Sequence, residues 1–183
     1  MSFKFDYQKP KVIAEIGCNH MGQMDIAKEL ILLAKQAGVG YVKFQKRNNK
    51  ELLTKEQYEA PHPIKENSYG SSYGAHREYL EFNYHQHLEL KKYCDSIDII
   101  YSTSVWDVTS AKEMISLEPK FLKVPSACNN NHEMLTLLRD EYKGQIQLSV
   151  GMTSKVEIEK IVKLFEEKNQ AKSRLLIYSC TSG

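Results

Sequence analysis

A chain of 183 residues, 42% hydrophobic and 26% charged, has the composition of a folded globular protein and excludes a disordered or fibrous one. Its 25 lysines and arginines against 23 aspartates and glutamates leave a formal net charge of +2, without the basic excess of a general nucleic-acid binder. No apolar run nears the roughly 20 residues of a membrane helix, and MSFKFDYQKPK at the N-terminus lacks a signal peptide's apolar core, so a soluble cytoplasmic protein is expected.

The predicted elements alternate. Residues 11–17 (KVIAEIG) read as a buried strand entered from Pro10 and closed at Gly17. Residues 25–36 carry Ile26, Leu30, Leu33 and Ala34 at helical spacing, with Gly38 as the stop. A second strand follows over 41–45 (YVKFQ). Residues 46–83 break the rhythm with a polar stretch rich in Tyr, Gly, Ser and Pro, long for a connection and therefore read as functional. Next come a helix over 85–95, a strand over 98–103 (DIIYST) and a helix over 107–116 capped by Asp107. They are followed by a strand over 121–125 (FLKVP), a helix over 132–142 capped from within 129–131, and a strand over 145–150 (QIQLSV). A helix over 154–168, opened by a Ser154/Glu157 capping box, leads to a sixth strand over 175–180 (LLIYSC).

Such alternation implies parallel strands joined by helical crossovers. An open doubly wound sheet and a (β/α)8 TIM barrel both meet it. The first is weakened because no G-x-G-x-x-G follows the first strand. The second is favoured by polar residues at successive strand C-termini, where barrel enzymes place their chemistry. A complete barrel takes about 250 residues, so residues 1–183 read as the N-terminal part of a barrel, with about six βα units. Two open strand edges would make the chain alone self-associate, without turnover.

Lys43 and Lys123 each sit inside an apolar run, where a lysine is costly without an anionic partner. Converging on one mouth, they point to a phosphate or carboxylate ligand. Glu15 adds a carboxylate, and Thr103, Ser126, Ser149 and Ser182 add hydroxyl groups. The competing explanation, lysines that only snorkel to the rim, fits one lysine better than two accompanied by a glutamate and hydroxyls. His20 reads as part of an Asn-His turn, Phe82 and Trp106 as core. His85 and His87 open a helix, where i and i+2 share no face, and read as surface residues. Cys18, Cys94, Cys128 and Cys180, far apart and without C-x-x-C, read as free buried thiols.

AEIGCNHMG (14–22), VKFQK (42–46), YGAHREYLEF (73–82), STSVWD (102–107), KVPSACNNN (123–131), LSVGM (148–152) and SCTSG (179–183), in this order, resemble the sialic acid synthase family. The resemblance implies a (β/α)8 barrel followed by a small antifreeze-like domain that caps the partner's site in a homodimer. It implies condensation of phosphoenolpyruvate with an N-acetyl hexosamine, N-acetylmannosamine, its 6-phosphate or a relative, to a sialic or other nonulosonic acid, with release of phosphate. Lys43 and Lys123 would then hold phosphoenolpyruvate, with Thr103, Ser126, Ser149 and Ser182 hydrogen-bonding it and Glu15 beside the reacting carbons. Asn67, Tyr69, Tyr73 and Arg77 would serve the sugar. A divalent metal, Mn2+ or Mg2+, would polarise the aldehyde, its histidine ligands lying beyond residue 183 and none within this chain. Val105 and Trp106 stand where bacterial members have Pro-Phe, and Ala127 where they have Gly. Two other readings are a non-catalytic fragment that keeps a phosphoenolpyruvate half-site, and a related synthase of 3-deoxy sugar acids, against which AEIGCNHMG argues.

Overall fold

The computed structural model describes residues 10–180. Six strands form one sheet in sequential order: β1 Ile13–Gly17, β2 Tyr41–Lys46, β3 Ile100–Val105, β4 Phe121–Val124, β5 Gln145–Ser149 and β6 Leu175–Tyr178. Every neighbouring pair is parallel. Parallel neighbours need crossovers, supplied by α1 Met24–Gln36, α5 Tyr84–Ser96, α6 Val108–Ile115, α7 His132–Glu141 and α8 Lys155–Glu166. Residues from β1, β2, β4, β5 and β6, among them Ile13, Tyr41, Phe121, Gln145 and Tyr178, line one cavity of about 590 Å³, so the sheet curls upon itself. This is the architecture of six successive units of a (β/α)8 barrel.

Parity along the strands separates core from mouth. Ile16, Val42, Phe44 and Tyr101 face the helices and pack with Ala27 and Ile31 of α1 and Leu90 and Cys94 of α5. Leu122, Val124, Ile146 and Leu148 do the same with Met134, Leu135 and Leu138 of α7 and Ile161 and Phe165 of α8. The intervening residues of each strand face inward. The expected caps are present: Asp107 accepts from the Ser110 amide at 2.6 Å, Asn131 caps α7, and Ser154 and Glu157 form the capping box of α8.

Residues 46–83 are built of short pieces, α2 Asn49–Leu52, α3 Lys55–Glu59 and α4 Tyr73–Leu80, with one 3-10 turn. The short helix α9, Ala171–Arg174, was unforeseen. Arg174 bonds the carbonyls of Leu138 at 3.1 Å and Arg139 at 2.9 Å, satisfying the C-terminus of α7. Cys94 and Cys128 are buried as expected, and burial pushes their thiols up to about 12 and about 11. Cys18 is half-buried and Cys180 is exposed, since it follows the end of β6.

His85 is exposed, but His87 is fully buried, which corrects its reading as a surface residue. Two positions on a helix point about 200° apart, so one ring meets water and the other meets β3. The His87 Nδ1 lies 2.6 Å from the Tyr101 hydroxyl. His20, 2% exposed, stacks on Phe82 with ring centroids 4.0 Å apart. Burial, above all, pushes His20 down to about 4 and His87 down to about 3, with the charges of Arg47 and Lys46, respectively, contributing.

Both rings therefore hold fewer protons folded than unfolded. Stability is full above an unfolded histidine's 6.5 and falls as the pH drops towards the folded values. Urea denaturation should show a loss of about 2 kcal/mol per histidine between about pH 7 and about pH 5. Glu81, raised by burial, acts in the opposite sense, one group against two. His87→Gln should flatten the slope; an unchanged slope in that variant would remove His87 from the account.

Candidate active site

The register of β2 with its neighbours builds the mouth. Lys43 pairs with Glu15 of β1 and with Ser102 of β3, and Gln45 pairs with Ser104. Facing residues in register point to the same side of a sheet. The Lys43 ammonium makes an ion pair with Glu15 and lies 3.4 Å from the Ser104 hydroxyl. Gln45 donates to the other Glu15 oxygen at 3.1 Å and accepts from the Trp106 indole at 2.7 Å. The Lys43 side chain is 10% exposed and that of Glu15 53%, so the pair has a buried cation and a wet carboxylate.

Lys123 enters from β4, paired in register with Ser104. Burial lowers its pKa first, and the Lys43 charge lowers it further, partly opposed by Glu15. The two lysines thus share one field, to which Glu15 contributes a carboxylate. Ser126, just past β4, accepts from the Gly151 amide at 3.1 Å. A Cβ at Gly151 would lie 3.2 Å from the Ser126 hydroxyl and 3.4 Å from the Cys180 Cβ, so the ends of β4, β5 and β6 converge there. Ser149 is buried at the end of β5, its carbonyl bonded by Asn129 at 3.0 Å.

Thr103 is not brought to this mouth, a correction to its expected role. It pairs in register with Phe44, shares a face with Tyr101 and Val105, and is fully buried towards the helices. Ser102 and Ser104 occupy the inward positions, and Ser104 is the hydroxyl nearest Lys43. Counting by two from either serine would have shown this; a run of three hydroxyl residues hides the parity. Gln45 was likewise legible as the position two after Lys43. Ser182 lies outside the described residues.

The sugar-side candidates divide. Tyr73 and Arg77 on α4 line a cleft of about 450 Å³ together with Arg47, Leu53, Trp106 and Cys128. Asn67 is exposed in the 3-10 turn, and Tyr69 stacks on Tyr79 with centroids 4.8 Å apart, outside that cleft's lining. Asp107 holds the insertion to the barrel: beyond capping α6, it accepts from the Asn48 amide at 2.7 Å. Gly22, at φ +72°, lies under Tyr79; a Cβ there would meet the Tyr79 carbonyl at 2.4 Å, so the turn after β1 and the end of α4 pack backbone to backbone.

Among the described residues no group of three or more His, Cys, Asp or Glu side chains could hold a metal ion. The mouth offers one carboxylate, already paired with Lys43. These residues do not by themselves fit the divalent ion implied by the resemblance. Among the described residues no helix is long and apolar enough to cross a membrane.

Comparison with known proteins agrees with this geometry. The profile of the NeuB family matches residues 30–183. The N-acetylneuraminate-9-phosphate synthase of Drosophila melanogaster is 33% identical over 87% of this chain and 42% of its own length. The N,N'-diacetyllegionaminic acid synthase of Campylobacter jejuni is 28% identical over 96% of this chain and 52% of its own. Among solved structures, the N-acetylneuraminic acid synthetase of Leptospira borgpetersenii, in complex with citrate, superposes with a TM-score of 0.75 at 26% identity, over 93% of this chain and 54% of that one. The chain spans about half the length of the curated relatives it matches. With a family profile covering most of the sequence and relatives aligned along nearly all of it, the chain belongs to the NeuB family.

Proposed function

We propose that the chain forms the phosphoenolpyruvate-binding side of a synthase that condenses phosphoenolpyruvate with an N-acetyl hexosamine. The product would be a sialic or other nonulosonic acid, with phosphate released. The observation that carries this reading is the pair of lysines on inward positions of β2 and β4, Lys43 buried and Lys123 half-buried, with one carboxylate, Glu15, ion-paired to Lys43. That centre has one positive charge in excess, and in a site of low polarity it is complementary to a small polyanion.

Lys43 and Lys123 neutralise the phosphate and carboxylate, and Ser104, Ser126 and Ser149 orient them. Glu15, wet and bonded by Lys43 and Gln45, is placed to take a proton from water adding at carbon 2 as carbon 3 attacks the aldehyde. The C–O bond to phosphate then breaks, and the leaving group departs against the two cations. A divalent ion, Mn2+ or Mg2+, polarises the aldehyde when bound; its ligands would come from outside residues 10–180. A cytoplasmic homodimer is part of the same proposal.

The single tryptophan, Trp106, bonds Gln45 and so reports on this mouth. Titration with phosphoenolpyruvate, followed by Trp106 fluorescence and by calorimetry, should saturate. Absence of binding would refute the proposal. Mass spectrometry of the products from a panel of N-acyl hexosamines separates a synthase from a non-catalytic fragment that binds without turnover, and from a maker of 3-deoxy sugar acids.

A further inference from the structure

Glu81, the C-cap of α4, and Arg47, the residue after β2, meet at the two ends of the 46–83 insertion. The Arg47 Nε lies 2.8 Å from one Glu81 oxygen, and the two side chains are 8% and 9% exposed. An Arg77 nitrogen stands 3.8 Å from the same oxygen. Among the described residues, neither the Arg47 Nε nor either Glu81 oxygen has an aligned hydrogen bond. The contact is therefore held by charge, in a place where burying charge is costly. Closing the insertion does not by itself require that cost, since an apolar pair would close it as well.

Arg47 turns this charge towards the mouth. Its Nη2 donates to the Cys18 sulfur at 2.8 Å, and its guanidinium carbon lies 5.2 Å from the centre of the Trp106 ring. A guanidinium on an indole face holds the plane of that ring. The indole N–H can only donate, and it donates to the Gln45 carbonyl at 2.7 Å. With its carbonyl taken, the Gln45 amide points its NH2 group at Glu15, to which it donates at 3.1 Å. One Glu15 oxygen is thus held by Gln45 while the other pairs with Lys43. Without the indole, the amide is free to turn over and release Glu15. Both carboxylate oxygens can then close on Lys43 and compete with an incoming anion.

We propose that Glu81 is a positioning residue for the mouth, acting through Arg47, Trp106 and Gln45 on the Glu15–Lys43 pair. The inference rests on the placement of phosphoenolpyruvate at Lys43 and Lys123, but concerns how that site is held by a residue outside it.

The test has two readouts, the Trp106 indole N–H resonance and calorimetric titration of phosphoenolpyruvate. Trp106 is the single tryptophan, so an isotope-labelled chain gives one such resonance. Glu81→Gln, which keeps the shape of the side chain and removes its charge, should move the resonance, and so should Glu15→Gln from the other end. Glu81→Gln should also weaken phosphoenolpyruvate binding about three- to tenfold, the worth of one hydrogen bond. Glu81→Asp, which keeps the charge, should recover most of that loss. In a Gln45→Ala or Trp106→Phe background, where the relay is already cut, Glu81→Gln should have no further effect. An equal loss in those backgrounds would reduce Glu81 to a structural residue and overturn the inference, as would an unmoved indole resonance. Trp106→Phe, which leaves Arg47 and Glu81 paired, covers the case in which Glu81→Gln does not fold. It should reproduce the loss of affinity alone, and wild-type affinity in that variant would overturn the inference. If the unsubstituted chain does not bind phosphoenolpyruvate, yet the resonance responds to both substitutions, the positioning stands and the assignment of the mouth falls. If it binds and Glu81→Gln changes neither readout, the reverse holds.

Discussion

Lys43→Ala should weaken phosphoenolpyruvate binding by about 2–5 kcal/mol, and by more than Lys123→Ala does. Both variants remove one cation from a pair of which Lys43 is buried and Lys123 half-buried. Lys43 is also the partner of Glu15, so its loss leaves an unpaired carboxylate facing the incoming anion, and attraction is replaced by repulsion. Adding Glu15→Gln to Lys43→Ala should therefore recover part of the affinity, whereas adding it to Lys123→Ala should recover less. Raising the pH should weaken binding earlier than an ordinary lysine would, because burial and the Lys43 charge hold Lys123 below the usual range. Calorimetric titration of the two single and two double variants decides the matter. Wild-type affinity in both single variants would show that phosphate binds elsewhere.

The mouth was legible because its chemistry contradicts its surroundings. A lysine inside VKF or LKV is expensive in any fold, so Lys43 and Lys123 declared themselves before the strands were paired. The alternation of strands and helices was equally clear, since Asp107 and Ser154 cap where capping chemistry requires. What escaped was parity and partnership. Ser102, Thr103 and Ser104 are chemically alike, and only the register with Lys43 and Phe44 tells which of them face inward. His87 looks polar in isolation; its burial depends on the Tyr101 hydroxyl, which comes from β3, an element separate in sequence. Residues 46–83 have no period to read, because α2, α3 and α4 are short pieces held by local caps such as Thr54 and Ser72 and by Asp107 from another loop. Arg47 and Glu81 could be linked only through space, at opposite ends of that insertion.

Phe44→Ala should cost about 3–5 kcal/mol of stability while leaving the anion site of each folded molecule nearly intact. Phe44 is fully buried on the face of β2 opposite Lys43. Its ring lies against Tyr101 at 5.9 Å, His20 at 6.0 Å and His87 at 6.5 Å, centroid to centroid. Truncation opens a void among three rings that hold the first β-strands to α5, and neighbours set by strand pairing cannot collapse to fill it. Water or polarity entering that void would ease protonation of His20 and His87, moving both folded values towards 6.5. The gap between folded and unfolded proton affinity would narrow, so the stability of the variant should fall less between about pH 7 and about pH 5 than that of the wild type. Lys43→Ala should behave in the opposite way, losing ligand with little change in urea midpoint, because removing a buried cation also removes its desolvation cost, and the carboxylate it leaves is exposed to water. Urea denaturation at the two pH values, with phosphoenolpyruvate titration of the folded fraction, measures all of this. If Phe44→Ala abolished binding in molecules that remain folded, or if Lys43→Ala unfolded the chain, then the two faces of β2 would not be the separable core and site that their contacts describe.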